Sequence, residues 1–426
     1  MNKRLSMSAF AGSLGGFVFG YDLGALSSAT QSLRSQFELS PAVFGLTISS
    51  SLWGTVCGSL LAGWLADSVG RRNLIAGCSA VYALAAVGIT LSISSEWILV
   101  LAMRFMCGMA IGGLTVGCPL YLSEIAPIAL RGRLVSLFQL QVGAGVVVAF
   151  SVGSVFSRVI SADALWKWCL GAGAIPAVLL LLLLGIMSQR GFMLTGNSQD
   201  QGRMNWGSSV PNDFLGHERL FRRENTRPIL LATSIAIFNQ LSGVNMLLLY
   251  LLDILSSAGV SLFLGHTYTV LISFLSLATT LLGMAFVDKL GRKSLLCCGS
   301  AGMAVCLLGL GLAIPRHFGP LFYLYILLSY NVFFAFSQGT VVWVYLSEIF
   351  PPGIRGAGQG YGSSVHWISN AILVSVFPIM QRASSVHTFY FFALMMVLQI
   401  GVVSLWYPET RGTALGSPAR SKITDG

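Results

Sequence analysis

The chain has 426 residues, of which 55% are hydrophobic and only 9% charged. A soluble domain carries about 25% charged residues, so this chain cannot cover a water-facing surface; a soluble enzyme, a nucleic-acid binder and a disordered protein are excluded. Its formal net charge of +10 therefore has to be read through a membrane topology.

Apolar stretches run in order near 7–28, 43–66, 74–93, 97–122, 134–158, 166–187, 228–256, 266–287, 294–314, 321–348, 358–381 and 387–407. They match the roughly 20 residues that a helix needs to cross a bilayer and are too long and continuous for the alternating strands of a membrane barrel. The expected fold class is an all-α membrane protein with twelve transmembrane helices. With the N-terminus placed in the cytoplasm, 19 of the 25 Lys and Arg fall on inner segments, five on outer segments and one, Arg104, within a span. The positive-inside rule then puts both termini in the cytoplasm, and the basic charge needs no nucleic acid to explain it. The eight cysteines fall inside or at the edges of spans, and neither a disulfide framework nor metal-ligand spacing is argued; no cofactor is expected. The first residues run straight into the first span without a small-residue cleavage site, so no removable signal peptide is expected.

One long polar break, 188–227, divides the spans six and six. The expected units are a half at 1–187, a cytoplasmic linker at 188–227, a second half at 228–407 and a cytoplasmic tail at 408–426. The halves echo each other. Tyr121-Leu-Ser-Glu124-Ile-Ala-Pro127 leading to Arg131 returns as Tyr345-Leu-Ser-Glu348-Ile-Phe-Pro351 leading to Arg355. Asp67-Ser-Val-Gly70-Arg71-Arg72 returns as Asp288-Lys-Leu-Gly291-Arg292-Lys293. Two echoes at nearly one offset indicate a duplicated six-helix unit, the plan of many secondary transporters, which bind substrate at mid-membrane between the halves.

Ionisable groups inside a membrane cost about 2.5–3.5 kcal/mol or more each at a helix centre and mark functional positions. Asp22 lies about 21 Å into the first span at 1.5 Å per residue, and Arg104 about 10 Å from the outer face of a core about 30 Å thick. Their depths coincide, so the two can pair, and protonating Asp22 would release Arg104. A static structural pair is the alternative. A second set is neutral. Gln139 and Gln141 stand on the fifth span, Asn239, Gln240 and Asn245 on the seventh, and Asn331 and Gln338 on the tenth. On the eleventh, Ser363, His366 and Asn370 share one helical face, and Trp343 and Trp367 add aromatic planes. Amides offer donors and acceptors together, so this set suits a neutral polyhydroxylated ligand rather than a dicarboxylate or phosphate. The blander possibility is that these groups only bond neighbouring helices. At the inner helix ends, Asp67, Arg71, Arg72, Glu124, Arg131, Asp288, Arg292, Lys293, Glu348 and Arg355 form an expected cytoplasmic gate.

These motifs resemble the sugar porter family of the major facilitator superfamily over essentially the whole chain. The resemblance rests on Gly16-Phe-Val-Phe-Gly20-Tyr21-Asp22, the two loop signatures above, Pro119-Leu-Tyr-Leu-Ser-Glu124, Trp166-Lys167-Trp168, Gln240-Leu-Ser-Gly243-Val-Asn245 and Pro408-Glu409-Thr410-Arg411-Gly412. It implies a sugar site from Gln139, Gln240, Asn245, Trp343, His366, Trp367 and Asn370, and a proton-coupling role for Asp22 with Arg104. Glu409 joins the expected gate. Asn239, Ser276 and Gln338 depart from residues usual in the family and are kept as candidate ligand-facing positions. Thr340, where the family often has Pro, and Met187-Ser188-Gln189-Arg190-Gly191 after the sixth span also depart from the family pattern. The expected function is monosaccharide import by proton symport, in a multi-pass cell membrane of a bacterium, by a monomer. A facilitative uniporter and a non-transporting sugar receptor are the alternatives. An enzyme is not expected, since no nucleophile–base pair or metal cluster stands in the spans.

Overall fold

Lipid offers no hydrogen bonds, so a spanning segment must satisfy its own backbone, which a helix does. The computed structural model describes residues 3–92, 97–125, 131–189, 220–257, 259–316, 318–351 and 354–409, and their regular structure is helical throughout. In the first half, α1 (Lys3–Phe37), α2 (Pro41–Val69), α3 (Arg71–Leu91), α4 (Trp97–Ile125) and α5 (Arg131–Val159) each form one span. The sixth combines α6 (Leu165–Gly171) and α7 (Ala174–Gln189).

In the second half, the seventh span is broken into α8 (Thr226–Leu241), α9 (Val244–Leu249) and α10 (Leu251–Ser257). Then follow α11 (Leu262–Leu290), α12 (Arg292–Ala313), and α13 (Pro320–Phe336) with α14 (Gln338–Glu348) as the tenth span. The last element, α15 (Arg355–Trp406), runs for 52 residues. A straight helix of that length would reach about 78 Å, over twice the thickness of a bilayer core. Extended backbone at Ser384 (φ −169°, ψ 110°) divides it into the eleventh and twelfth spans. Among the described residues the fold is a bundle of twelve spans in two six-helix halves, and the side on which its first span begins and its last span ends is called the terminus side; loops on the opposite side are called far-side below.

Three spans expected to be continuous are interrupted. In the seventh, Gly243 takes a left-handed φ of +85°, which glycine adopts without the steric cost of a Cβ. The carbonyl of Ser242 beside the break accepts a 2.8 Å hydrogen bond from the Tyr330 hydroxyl, which satisfies it away from water. The tenth breaks at Ser337 (φ −110°, ψ −86°), and the sixth between α6 and α7. These breaks matter because they re-aim Asn245 and Gln338. Asn331 and Gln338 consequently stand on different helices, and Asn331 donates to its own helix at Leu327 O (2.9 Å).

Glycines set the packing of the first half. A Cβ on Gly20 would overlap the Val142 carbonyl on α5, and one on Gly108 the Ser51 carbonyl on α2. Small residues let membrane helices approach this closely, and the closeness brings α1, α2 and α4 together around Asp22. Large apolar side chains such as Leu60, Leu84, Ile98, Leu182 and Leu405 are exposed, as a lipid-facing surface requires.

The halves touch through far-side residues. Gln31 donates to the Leu252 carbonyl (3.2 Å). Trp53 donates to Ser375 Oγ (3.3 Å), which lies 2.6 Å from Ser49 Oγ. Phe44 meets Tyr250 edge-on (5.8 Å), and the Arg158 guanidinium sits over the Phe263 ring (4.8 Å).

Candidate functional site

Asp22 and Arg104 are 3% and 1% exposed. Arg104 Nη1 donates to Asp22 Oδ1 (2.6 Å) and Nη2 to Oδ2 (3.0 Å), a bidentate pair. Two further groups complete it. The Tyr82 hydroxyl on α3 donates to Asp22 Oδ1 (3.0 Å), and Arg104 Nη2 also reaches Ser51 Oγ on α2 (2.8 Å). Four helices of the first half thus converge on one carboxylate. Burying the ions carries a desolvation cost of several kcal/mol each, offset here by the fork geometry and the extra hydrogen bonds. Proton binding at Asp22 would cancel its charge and remove the attraction that holds Arg104. Tyr82 and Ser51 escaped the sequence reading because a lone hydroxyl on a span carries no pattern; only the fold shows that they face the pair.

The neutral cluster sits on the second half, facing α1. Gln240 is fully buried. Its Nε2 stands 2.8 Å from His366 Nε2 and 3.1 Å from Nδ1, and its Oε1 accepts from Asn245 Nδ2 (2.8 Å). The His366 ring lies between two indoles, 5.0 Å from Trp343 (tilted) and 5.3 Å from Trp367 (edge-on). Phe19 of α1 packs edge-on against Trp367 at 5.5 Å, so an aromatic contact joins the halves at this level. Asn370, one turn beyond His366, is 1% exposed, and its Oδ1 has no hydrogen-bond partner among the described residues. A buried acceptor of that kind costs about 1–3 kcal/mol unless something donates to it.

Other candidates are placed differently. Gln139 on α5 and Ser276 on α11 are half-buried, and the described hydrogen bonds do not tie their side chains to the cluster. Gln338 is fully buried, and its Oε1 accepts from Asn239 Nδ2 (3.2 Å). The break at Ser337 turns it there. Thr340 donates to the Ala335 carbonyl (2.9 Å) across the same break.

At the terminus side, Arg292 forms a two-point pair with Glu348, Nε to Oε2 at 3.3 Å and Nη2 to Oε1 at 2.9 Å. Glu409 accepts from the backbone N–H groups of Arg292 (2.9 Å) and Lys293 (3.1 Å), capping the first turn of α12. Arg71 donates to the Ala66 carbonyl, and Arg72 to that of Leu184. Each of these contacts stays within its own half. The side chains of Asp67, Glu124, Arg131, Asp288 and Arg355 lie outside the described residues.

A buried ion pair on one half and an amide, imidazole and indole cluster on the other agree with what comparison finds. The family model described as "Sugar (and other) transporter" matches residues 8–189 and 197–418. The chain belongs to this family. Its members are transporters and not enzymes, so it is a multi-pass membrane transporter of the sugar porter branch, with the major facilitator fold. It is 31% identical to the glucose transporter GlcP of Staphylococcus epidermidis over 95% of this chain and 94% of that one. The inward open conformation of the xylose transporter XylE from E. coli superposes with a TM-score of 0.83 at 26% identity, covering 96% of this chain and 98% of that chain. A crystal structure of a D-xylose-proton symporter gives 0.82 at 27% identity, covering 97% and 100%.

Proposed function

We propose that this transporter imports a monosaccharide, a hexose or pentose, together with a proton, by alternating access of a site between the halves. The observation that carries the coupling is the bidentate Asp22–Arg104 pair. Charged Asp22 holds Arg104; a proton arriving from outside releases it, and proton and sugar together favour reorientation. A ligand moves such an equilibrium only by binding one state better than the other, and here the proton does so by changing the strength of one buried ion pair.

The sugar class follows from the cluster around Gln240. Its amides and neutral imidazole both donate and accept, its indoles offer apolar faces for C–H edges, and the unpartnered Asn370 Oδ1 is an acceptor for a hydroxyl. The relatives named glucose and xylose transporters support the same class. The distribution of Lys and Arg supports a cytoplasmic terminus side, and the bacterial sources of the relatives support a bacterial cell membrane. The far-side contacts between the halves then close the site to the outside, and the likeness to an inward open xylose transporter supports that state. The terminus-side charges act as the inner gate, pairing when the inner side is closed and separating when it opens; among the described residues Arg292 holds Glu348 of its own half. The boundaries 1–187, 188–227, 228–407 and 408–426 delimit the moving halves, the linker and the tail, and the transporter works as a monomer.

The test is uptake of labelled hexoses and pentoses into proteoliposomes with and without an imposed inward proton gradient. Accumulation above equilibrium that requires the gradient is expected. Equilibration indifferent to the gradient would make the protein a uniporter, with Asp22–Arg104 a structural pair.

A further inference from the structure

Behind the sugar-facing cluster runs a line of buried amides that the transport cycle described above does not use. Gln399, on the twelfth span, is fully buried. Its Oε1 accepts from Ser300 Oγ on α12 (3.0 Å) and from Gln338 Nε2 (2.7 Å). Gln338 Oε1 in turn accepts from Asn239 Nδ2 (3.2 Å), and Asn239 Oδ1 from Gln240 Nε2 (3.4 Å). Every link points the same way, from Gln240 back to Gln399. A primary amide has two N–H donors on one arm and an acceptor on the other, so turning one member would set like against like at both of its neighbours.

One contact favours this direction, although it leaves Gln399 Nε2 buried without a partner among the described residues. Gln338 Nε2 also meets the Met396 thioether, at 3.5 Å. A thioether sulfur accepts weakly and cannot donate. With the amide turned over, the Gln338 oxygen would face that sulfur and find no donor there. The nitrogen side is therefore the one that fits at Gln338, where it also donates to Gln399 at the end of the line.

We propose that Gln399, acting through Gln338 and Asn239, is a positioning residue that holds the Gln240 amide with its nitrogen toward His366, and so fixes which edge of the His366 ring donates to substrate. The inference rests on the reading of this cluster as the sugar site. An amide N–H can bond only an imidazole nitrogen that carries no proton; Gln240 Nε2 stands 2.8 Å from His366 Nε2 and 3.1 Å from Nδ1, so one of the two accepts and the other carries the ring proton. The protonated nitrogen is a donor, one helical turn from the free acceptor Asn370 Oδ1. A donor and an acceptor one helical turn apart match a hydroxyl, which is both. Asn239 and Gln338 both depart from the residues usual in the family, and here they bond each other. The two departures act as one device.

The test uses the full chain in lipid nanodiscs with 15N-labelled histidine, the His366 signals being identified by their loss in His366→Gln. In the wild type one ring nitrogen is expected to be of the protonated type and the other of the unprotonated type, in a single tautomer. Gln399→Leu and Gln338→Leu should each give tautomer averaging. In proteoliposomes each should raise the half-saturating concentration of the transported sugar about three- to tenfold, as expected for a lost hydrogen bond, with the maximal rate little changed. The double variant should be no worse than either alone, because both cut one line. Met396→Leu, which removes the sulfur at similar side-chain size and serves if the leucine variants fold poorly, should produce the same tautomer averaging to a smaller extent. An unchanged His366 spectrum in folded Gln399→Leu and Met396→Leu would overturn the proposal. Failure of the wild type to move any hexose or pentose would count against the sugar reading alone, and the spectra would still decide the positioning role.

Discussion

Gly45 on α2 faces the backbone carbonyl of Ser375 on α15 so closely that a Cβ on Gly45 would overlap the Ser375 oxygen. These residues belong to opposite halves, so the far side closes backbone against backbone at this point. A larger residue at 45 should prop that side open. Gly45→Leu is expected to lower uptake about tenfold or more, since a shift of about 1.4 kcal/mol between the two states suffices. A cysteine replacing Phe44, which is buried in the same interface, should become reactive toward an impermeant thiol reagent added from outside. An unreactive cysteine in the Gly45→Leu background would show that the contact does not control access.

Asp22→Asn keeps the shape of the side chain and removes the charge that Arg104 pairs with. Leaving a buried guanidinium without its carboxylate costs about 3–5 kcal/mol when nothing replaces it, so a lower Tm is expected. The functional outcome should be selective: gradient-driven accumulation is abolished while exchange of labelled for unlabelled sugar continues. Accumulation no worse than in the wild type would make the pair structural.

Two glycines with opposite surroundings test the packing of the first half. Gly20→Ala inserts a methyl group against the Val142 carbonyl, forcing α1 away from α5 two residues before Asp22, and should cost about 1–3 kcal/mol. Gly77 on α3 has nothing within 4 Å of its Cβ position. Gly77→Ala should be neutral or stabilising, by about 0.5–1 kcal/mol. Thermal unfolding in one detergent ranks the pair, and equal Tm values would refute the close-packing account.

Glu409 places a negative charge on the first turn of α12 and accepts two of its free N–H groups. Charges at helix N-termini contribute about 0.3–1 kcal/mol and are screened by salt. Glu409→Gln should therefore lower Tm by more at low ionic strength than at high. A difference independent of salt would assign the effect to hydrogen bonding alone.

Much of the architecture was legible in the chain before any coordinates. Lipid imposes a length and an apolar composition on each span, and both leave direct marks in sequence; even the division of the 52-residue α15 at Ser384 follows from bilayer thickness. Asp22 and Arg104 stood out for the same reason, since charge inside apolar runs is rare. The breaks at Gly243 and Ser337 were not legible. Both occur inside apolar runs, and what stabilises them, such as the Tyr330 hydroxyl on the Ser242 carbonyl, comes from a distant part of the chain.

The sequence by itself therefore determined the span count, the duplicated halves and the residue types from which a site could be built, because one-dimensional composition against a slab of lipid decides those things. Only the tertiary structure decided partners. It joined Tyr82 and Ser51 to the ion pair, bonded Gln338 to Gln399, and closed Gly45 against Ser375. Hydrogen bonds and steric contacts depend on direction and on distances of a few ångströms, and those are settled only when helices far apart in the chain are brought side by side.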